Sequence, residues 1–295
     1  MIVSFLLLAN QSHALSHLKK EKNEIGHRLN MLEGEYATKM TPNLAPDKVA
    51  RYVFMSHLDN REDCFALAPP DPPPAAQGYT LIVYLHGLGA SYLQPFIYGA
   101  PEPIGYALLH HCPHSLVMSC SYRREGSFGS DEALTDITQN IRMVCQKFPI
   151  RDIILFGESM GGMTVLNYGA TAPNDIQAKL KGIVSMEGTS NLLKLHQRTK
   201  PFIRAALEKV YGSPTANQSA YISHSFCHNV HNLPQRVKVA VLSAAYDDIV
   251  PPSEQNELIA TLQSNNNPSL FLHCNIGHYC PPQDVSLKAF DFANQ

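Results

Sequence analysis

The chain has 295 residues, of which 44% are hydrophobic and only 16% are charged, so it carries ample material for the core of one large domain with an N-terminal extension. The formal net charge of -2 and the lack of any lysine or arginine run longer than Lys19-Lys20 argue against a nucleic-acid or anionic-lipid partner. No apolar run reaches the roughly 18 residues that a transmembrane helix requires.

Residues 1–48 are predicted to form the extension. Within them, apolar residues recur at spacings of three, four and seven, which favours an amphipathic helix packed on the main domain; these residues are Leu15, Leu18, Ile25, Leu29 and Leu32. The shorter apolar run at residues 2–9 precedes Ser12-His13-Ala14, which resembles a cleavage site, but no lysine or arginine stands before it. We therefore expect a cytoplasmic protein, with export through a short atypical signal as the alternative.

Three strands are predicted before residue 90. Residues 49–58 and 64–67 are expected to form antiparallel strands, and the proline-rich residues 69–74 a solvated loop, because proline cannot donate a hydrogen bond to a sheet. The next apolar run, residues 79–85, leads into the glycine-rich turn His86-Gly87-Leu88-Gly89, which is placed to aim a backbone N–H at a developing oxyanion.

A histidine-rich stretch at residues 110–114 has the sequence His-His-Cys-Pro-His. Its spacing is not that of a zinc finger and its proline restricts the backbone, so we interpret it as a polar surface loop rather than a metal site. Arg123 and Arg124 follow the predicted strand at residues 116–120, on the edge where ligands bind in open α/β sheets. They are substrate-binding candidates that could pair with a carboxylate, with ordinary surface arginines as the alternative.

Ser159 stands at the centre of Gly157-Glu158-Ser159-Met160-Gly161, between the apolar run at residues 152–156 and a helical stretch at residues 162–170. Strand, sharp turn and helix make up a nucleophile elbow, in which a strained backbone pushes the serine hydroxyl out of the sheet. The flanking glycines let strand and helix approach without Cβ clashes. Glu158, next to the serine, is a further substrate-binding candidate.

Two later predicted strands are followed by the remaining groups that an activated serine needs. Residues 237–242 lead to Asp247 and Asp248, and residues 269–273 lead to His278. A free serine hydroxyl is a poor nucleophile, so a histidine must take its proton and a carboxylate must fix the imidazole tautomer. The order serine, acid, histidine is that of the nucleophile-elbow enzymes.

Residues 187–236 are predicted to form a short cap segment. Their patchy helical stripe favours contacts with the core, and a mobile apolar cover over an acyl pocket is the alternative. The seven cysteines are odd in number and scattered, which indicates a mostly reduced chain. Because Cys274 and Cys280 flank His278, a local disulfide there is conceivable if the protein is exported.

The chain resembles the α/β-hydrolase superfamily, and from about residue 79 onward it resembles the catalytic domain of the prolyl oligopeptidase family and related single-domain esterases. The segments that carry the resemblance are residues 85–89, 121–129, 157–162, 211–214, 247–251 and Gly277-His278. It implies an α/β-hydrolase fold, in which a mostly parallel doubly wound sheet has helices on both faces and a short cap, over residues 49–295.

The resemblance also implies roles for individual residues. Ser159 would be the nucleophile, Asp247 the acid and His278 the base, with the backbone N–H groups of Leu88 and Met160 as the oxyanion hole. Asp247 is chosen over Asp248 because the family's acid stands four residues before the proline of this loop, here Pro251. Nothing in the sequence corresponds to the family's N-terminal β-propeller, so its peptidase activity does not transfer directly.

These features predict a serine hydrolase that cleaves a carboxylic ester through an acyl-enzyme intermediate. No metal and no organic cofactor are implied, and the expected partner is a small-molecule ester or peptide-like substrate. A small peptidase or amidase with the same machinery is the first alternative. A non-catalytic binding protein with a hydrolase fold is the second, because fold does not guarantee chemistry.

Overall fold

An eight-stranded sheet crosses the domain in the spatial order β1-β2-β4-β3-β5-β6-β7-β8. The computed structural model describes residues 49–69, 78–97, 101–124 and 126–295. Strands β1 and β2 are antiparallel, β2 pairs antiparallel with β4, and all other neighbours are parallel. The strands are β1 (Ala50–Met55), β2 (Glu62–Ala68), β3 (Tyr79–Leu85), β4 (Ser115–Cys120), β5 (Ile150–Glu158), β6 (Leu180–Met186), β7 (Lys238–Ala244) and β8 (Ser269–Cys274).

Helices cover both faces of this sheet, which confirms the predicted fold class. The helices are α1 (Gln94–Ile97), α2 (Ile104–His111), α3 (Asp131–Lys147), α4 (Met160–Thr171), α5 (Asn174–Gln177), α6 (Leu192–Arg198), α7 (Pro201–Tyr211), α8 (Gln218–Ser223), α9 (Phe226–Asn229), α10 (Pro252–Ser264) and α11 (Gln283–Asn294). A short 3-10 helix, Val230–Asn232, follows α9.

The central strands are mostly apolar, as expected for strands with both faces buried. In β3, Leu81 and Val83 join the core layer that includes Ile137 of α3, whereas Ile82 and Tyr84 join the opposite layer, which includes Phe290 of α11. Successive side chains of the strand therefore pack alternately into two hydrophobic layers, instead of into one layer and the solvent.

The segment predicted as a cap, residues 187–236, contains α6 to α9. Leu192, Leu195, Ile203 and Leu207 are buried in the main core layer, in agreement with the predicted core contacts, whereas Phe202 is 60% exposed. Most of the cap therefore contributes to the stability of the domain as well as covering the edge of the sheet.

The histidine-rich stretch is only partly a loop, which corrects its interpretation. His110 and His111 form the last turn of α2, where a histidine side chain suits the negative end of the helix dipole. Their ring nitrogens lie 3.1 Å from Glu102 and 2.6 Å from Asp291. All seven cysteines lie in the described part of the chain and are free there, so Cys274 and Cys280 form no bridge.

Three features predicted from the sequence lie outside the described residues: the amphipathic helix of the extension, the apolar run at residues 2–9, and most of the proline-rich loop. The cytoplasmic location, which depends on the second of these, stays a prediction. Among the described residues, no helix combines the length and apolar character needed to span a bilayer.

Candidate active site

Ser159 occupies the sharp turn between β5 and α4. Its backbone has φ 53° and ψ −113°, a conformation that is unfavourable for a residue with a side chain. A Cβ atom added to Gly161 would lie 1.9 Å from the carbonyl oxygen of Leu85, and one added to Gly157 would lie 2.3 Å from the carbonyl oxygen of Gly161. Only glycine fits at both positions, so these two residues allow the turn that presents the serine hydroxyl.

Ser159, His278 and Asp247 form a continuous chain of hydrogen bonds. The Ser159 hydroxyl donates to Nε2 of His278 at 2.8 Å, and Nδ1 of His278 donates to Oδ2 of Asp247 at 2.8 Å. The other Asp247 oxygen, Oδ1, accepts from the backbone N–H groups of Ile249 and Val250 at 2.9 and 2.8 Å. These two bonds orient the carboxylate, which in turn fixes the histidine tautomer needed for proton transfer from the serine.

Asp248 points away from this chain of hydrogen bonds. Its carboxylate is exposed and lies 2.6 Å from the ammonium group of Lys200, whose hydrogen bond lowers the pKa of Asp248. The structure therefore brings only the first of the two adjacent aspartates to the histidine.

The predicted oxyanion donors lie beside Ser159. Met160 begins α4, and an added Cβ on Gly87, just before Leu88, would be 3.7 Å from the Ser159 Cβ. The N–H groups of Leu88 and Met160 donate no hydrogen bond to other described residues. Gln94 holds the turn in place by accepting from the Gly87 N–H at 2.9 Å. Two backbone N–H groups without a described acceptor thus lie near Ser159, and their role as oxyanion donors stays a prediction.

A small apolar cavity adjoins Ser159. Its volume is about 10 Å³, close to the space that one water molecule requires. The lining residues are Leu88, Phe128, Ser159, Met160, Met163, Thr189, Leu195, Ile203, Ile249 and Val250.

A larger, more polar cleft of about 210 Å³ lies next to Glu158. Oε2 of Glu158 accepts hydrogen bonds from the Tyr84 hydroxyl at 3.1 Å, from the Gln94 amide at 2.8 Å and from the Cys280 thiol at 3.0 Å. Burial raises the pKa of Glu158. This placement, beside the nucleophile and in the wall of a cleft, suits the predicted contact between Glu158 and a substrate.

Arg123 is engaged elsewhere, which corrects its prediction as a substrate-binding residue. Its guanidinium lies 2.8 Å from a carboxylate oxygen of Asp59 and 2.8 Å from the Ser56 hydroxyl, and it also pairs with the fully buried Asp136. Because these acceptors use its donors, Arg123 ties the β1–β2 connection to α3 instead of facing a substrate. Arg124 is exposed, and its side chain has no polar partner among the described residues.

Glu187, which the sequence analysis did not single out, lies at the triad. It follows β6 directly, is only 1% exposed, and brings Oε2 to 3.4 Å from Nδ1 of His278. The sequence offers one signal for Glu187, which is that it directly follows an apolar strand. That strand, β6, lies between β5 and β7, and the other site residues follow strands at the same edge of the sheet.

The sheet and the elbow define this protein as one with the α/β-hydrolase fold, and a family model for that fold matches residues 80–217. The predicted resemblance to this superfamily is confirmed. No curated protein matches the chain by sequence.

Solved structures with the same fold include two peptidases. A puromycin-hydrolyzing peptidase of Mycobacterium tuberculosis is 17% identical, with a TM-score of 0.63 over 82% of this chain and 38% of its own length. An acylaminoacyl peptidase of Pyrococcus horikoshii is 16% identical, with a TM-score of 0.62 over 84% of this chain and 41% of its own. This chain therefore spans less than half the length of these peptidases.

A third solved structure has nearly the same extent as the matched region. The fluorophosphonate-binding serine hydrolase F of Staphylococcus aureus is 16% identical, with a TM-score of 0.63. The match covers 84% of this chain and 98% of that protein.

Replacing each of the two adjacent aspartates separately should distinguish their roles. We expect Asp247→Asn to lower kcat by about 100-fold or more, because the amide favours the wrong histidine tautomer. The matched variant Asp248→Asn should keep at least a tenth of the activity, since it loses only an exposed ion pair. Steady-state kinetics of the purified variants test this, and the reverse order would move the acid to Asp248.

Replacement of Arg123 should affect stability. Arg123→Gln leaves Asp136 buried without its cation, so we expect the free energy of unfolding to fall by about 3 kcal/mol. The neighbouring exposed control, Arg124→Gln, should stay within about 0.5 kcal/mol of wild type. Urea unfolding measures both changes. Equal stabilities for the two variants would contradict the structural role of Arg123.

Proposed function

We propose that this protein is a serine hydrolase that cleaves a carboxylic ester through an acyl-enzyme intermediate. Ser159 Oγ attacks the ester carbonyl carbon while His278 Nε2 takes its proton, and the N–H groups of Leu88 and Met160 bind the oxyanion. The tetrahedral intermediate then expels the alcohol, which receives that proton from His278. Water, activated by the same histidine, releases the acid and restores the serine.

The observation that carries this proposal is the hydrogen-bond chain from Asp247 through His278 to Ser159, with the serine in a strained turn. Either feature alone has structural explanations. Together they support the proposal that Ser159 is the nucleophile, His278 the base and Asp247 the orienting carboxylate of an acyl transfer. This combination also argues against a purely binding role.

Cleavage of a peptide or amide is the second candidate. It is favoured by the likeness of the fold to the puromycin-hydrolyzing and acylaminoacyl peptidases, since the same triad can cleave either bond. The two candidates differ in the leaving group that His278 must protonate. A comparison of p-nitrophenyl acyl esters with aminoacyl and prolyl amides, at equal enzyme concentration, distinguishes them by kcat/KM.

A labelled fluorophosphonate tests the shared chemistry, because it forms an adduct only with an activated serine. We expect wild-type protein to be labelled at Ser159 and Ser159→Ala to remain unlabelled while keeping its far-UV circular dichroism. Ester turnover by Ser159→Ala should fall by about 10⁴ to 10⁶ in kcat. Labelling of the alanine variant would refute Ser159 as the nucleophile.

The small apolar cavity predicts a preference for short acyl groups and no activation at a lipid interface. We expect kcat/KM to be higher for acetate and butyrate esters than for octanoate esters, because a longer chain must displace α7 or the residues around it. The cavity-enlarging variant Ile203→Ala should shift the preference toward octanoate. Higher turnover on emulsified long-chain lipid than on soluble butyrate ester would contradict this prediction.

A further inference from the structure

Glu187 has three properties that an ordinary core residue avoids. Its backbone has φ 52°, which is uncommon for a residue other than glycine. It carries a carboxyl group into the interior at 1% exposure, and neither oxygen has a hydrogen bond of good geometry in the described part of the chain. Burial of a polar group without a hydrogen-bond partner is unfavourable, so this side chain lowers the stability of the fold unless it has a functional role.

The Glu187 carboxyl group is directed at the triad. Its Oε2 lies 3.4 Å from Nδ1 of His278, the same nitrogen that donates to Asp247 at 2.8 Å. Two carboxyl groups from different strand ends therefore converge on one N–H. Asp247 holds the bond because two backbone N–H groups fix it, whereas Glu187 is just beyond hydrogen-bonding distance.

The buried environment of the Glu187 carboxyl group favours its uncharged form. Burial raises the pKa of Glu187 to about 9, and the negative charges of Asp247 and Glu158 add to the effect, while a weak backbone contact from Tyr279 opposes it. Since this pKa lies above neutral pH, Glu187 is an uncharged acid at pH 7. The titratable groups around it are Asp247, Glu158, His278, Cys274 and Cys280.

We propose that Glu187 is a positioning residue of the active site: a second carboxyl group that accepts the Nδ1–H of His278 when Asp247 does not. The inference rests on the proposed function, because it concerns the same histidine. Loss of the Asp247 charge removes one cause of the raised pKa of Glu187, so Glu187 loses its proton more readily. When His278 becomes an imidazolium, its positive charge attracts the resulting Glu187 carboxylate. A movement of about half an ångström would bring Oε2 into hydrogen-bonding range.

A double-mutant cycle with fluorophosphonate labelling rates as the readout tests this. The four proteins are wild type, Asp247→Asn, Glu187→Gln and the double variant. We expect Glu187→Gln to slow labelling at least tenfold more in the Asp247→Asn background than in wild type, because only there does His278 depend on Glu187. Asp247→Asn should lose about 10²-fold and the double variant about 10⁴-fold, the loss typical of a triad without its acid.

Asp248→Asn provides the matched control. In the Asp248→Asn background, Glu187→Gln should slow labelling by the same factor as it does in wild type, since Asp248 does not reach the histidine. If Glu187→Gln slows labelling by the same factor, within twofold, in the wild-type and Asp247→Asn backgrounds, the proposal is overturned.

The pH dependence gives a second readout that a packing role would not produce. Loss of the Asp247 charge lowers the pKa of Glu187 from its wild-type value of about 9. In Asp247→Asn, labelling should therefore rise with pH over a range below pH 9 as Glu187 loses its proton, and this rise should vanish in the double variant. If the double variant does not fold, the Asp247→Asn profile is compared with that of wild type from about pH 5 to 9.5, and profiles of identical shape overturn the proposal. Wild-type protein without labelling would instead refute the serine-hydrolase proposal itself, which separates the two failures.

Discussion

The close packing of the Ser159 turn against the end of β3 is the constraint on which the site depends. Gly161 lies so near the Leu85 carbonyl that no side chain fits, and this contact brings α4 down onto the sheet directly after the serine. The same approach places the Leu88 turn beside the nucleophile. A bulkier residue would separate the hydroxyl from its oxyanion donors, so one backbone contact sets both the nucleophile and the groups that stabilise its product.

Three carboxyl groups lie near that turn, and their hydrogen-bond partners differ. Asp247 accepts hydrogen bonds from two backbone N–H groups and from the histidine, and these bonds hold it in place. Glu158 accepts hydrogen bonds from a hydroxyl, an amide and a thiol, whereas burial and neighbouring negative charge outweigh the backbone contact from Tyr279 at Glu187. Because like charges at this separation oppose one another, a single ionised partner for His278 requires that the others be neutral or neutralised.

The parts of this arrangement that the sequence could predict are those with a local signature. Continuous apolar runs marked the central strands, and the residues that follow them marked Ser159, Asp247 and His278. Arg123 was misassigned because its partner Asp59 is 64 residues away in sequence and becomes a neighbour through the pairing of β2 with β4. A single glutamate produces no periodic pattern in the sequence, so Glu187 could be recognised as a neighbour of the site only from the pairing of β6 with β7.

The two cavities near Ser159 and Glu158 differ in size and polarity. The apolar cavity beside Ser159 has the space of about one water molecule, which is the basis for the proposed preference for short acyl groups. The larger cleft is lined by Glu158 and Glu102, and no lysine or arginine is among the described residues that line it. An anionic group in that cleft would lose its hydration without gaining a cation, whether or not Glu158 is ionised. Among the described residues, neither Arg123, which pairs with Asp59 and Asp136, nor this cleft therefore offers a cation to a substrate carboxylate.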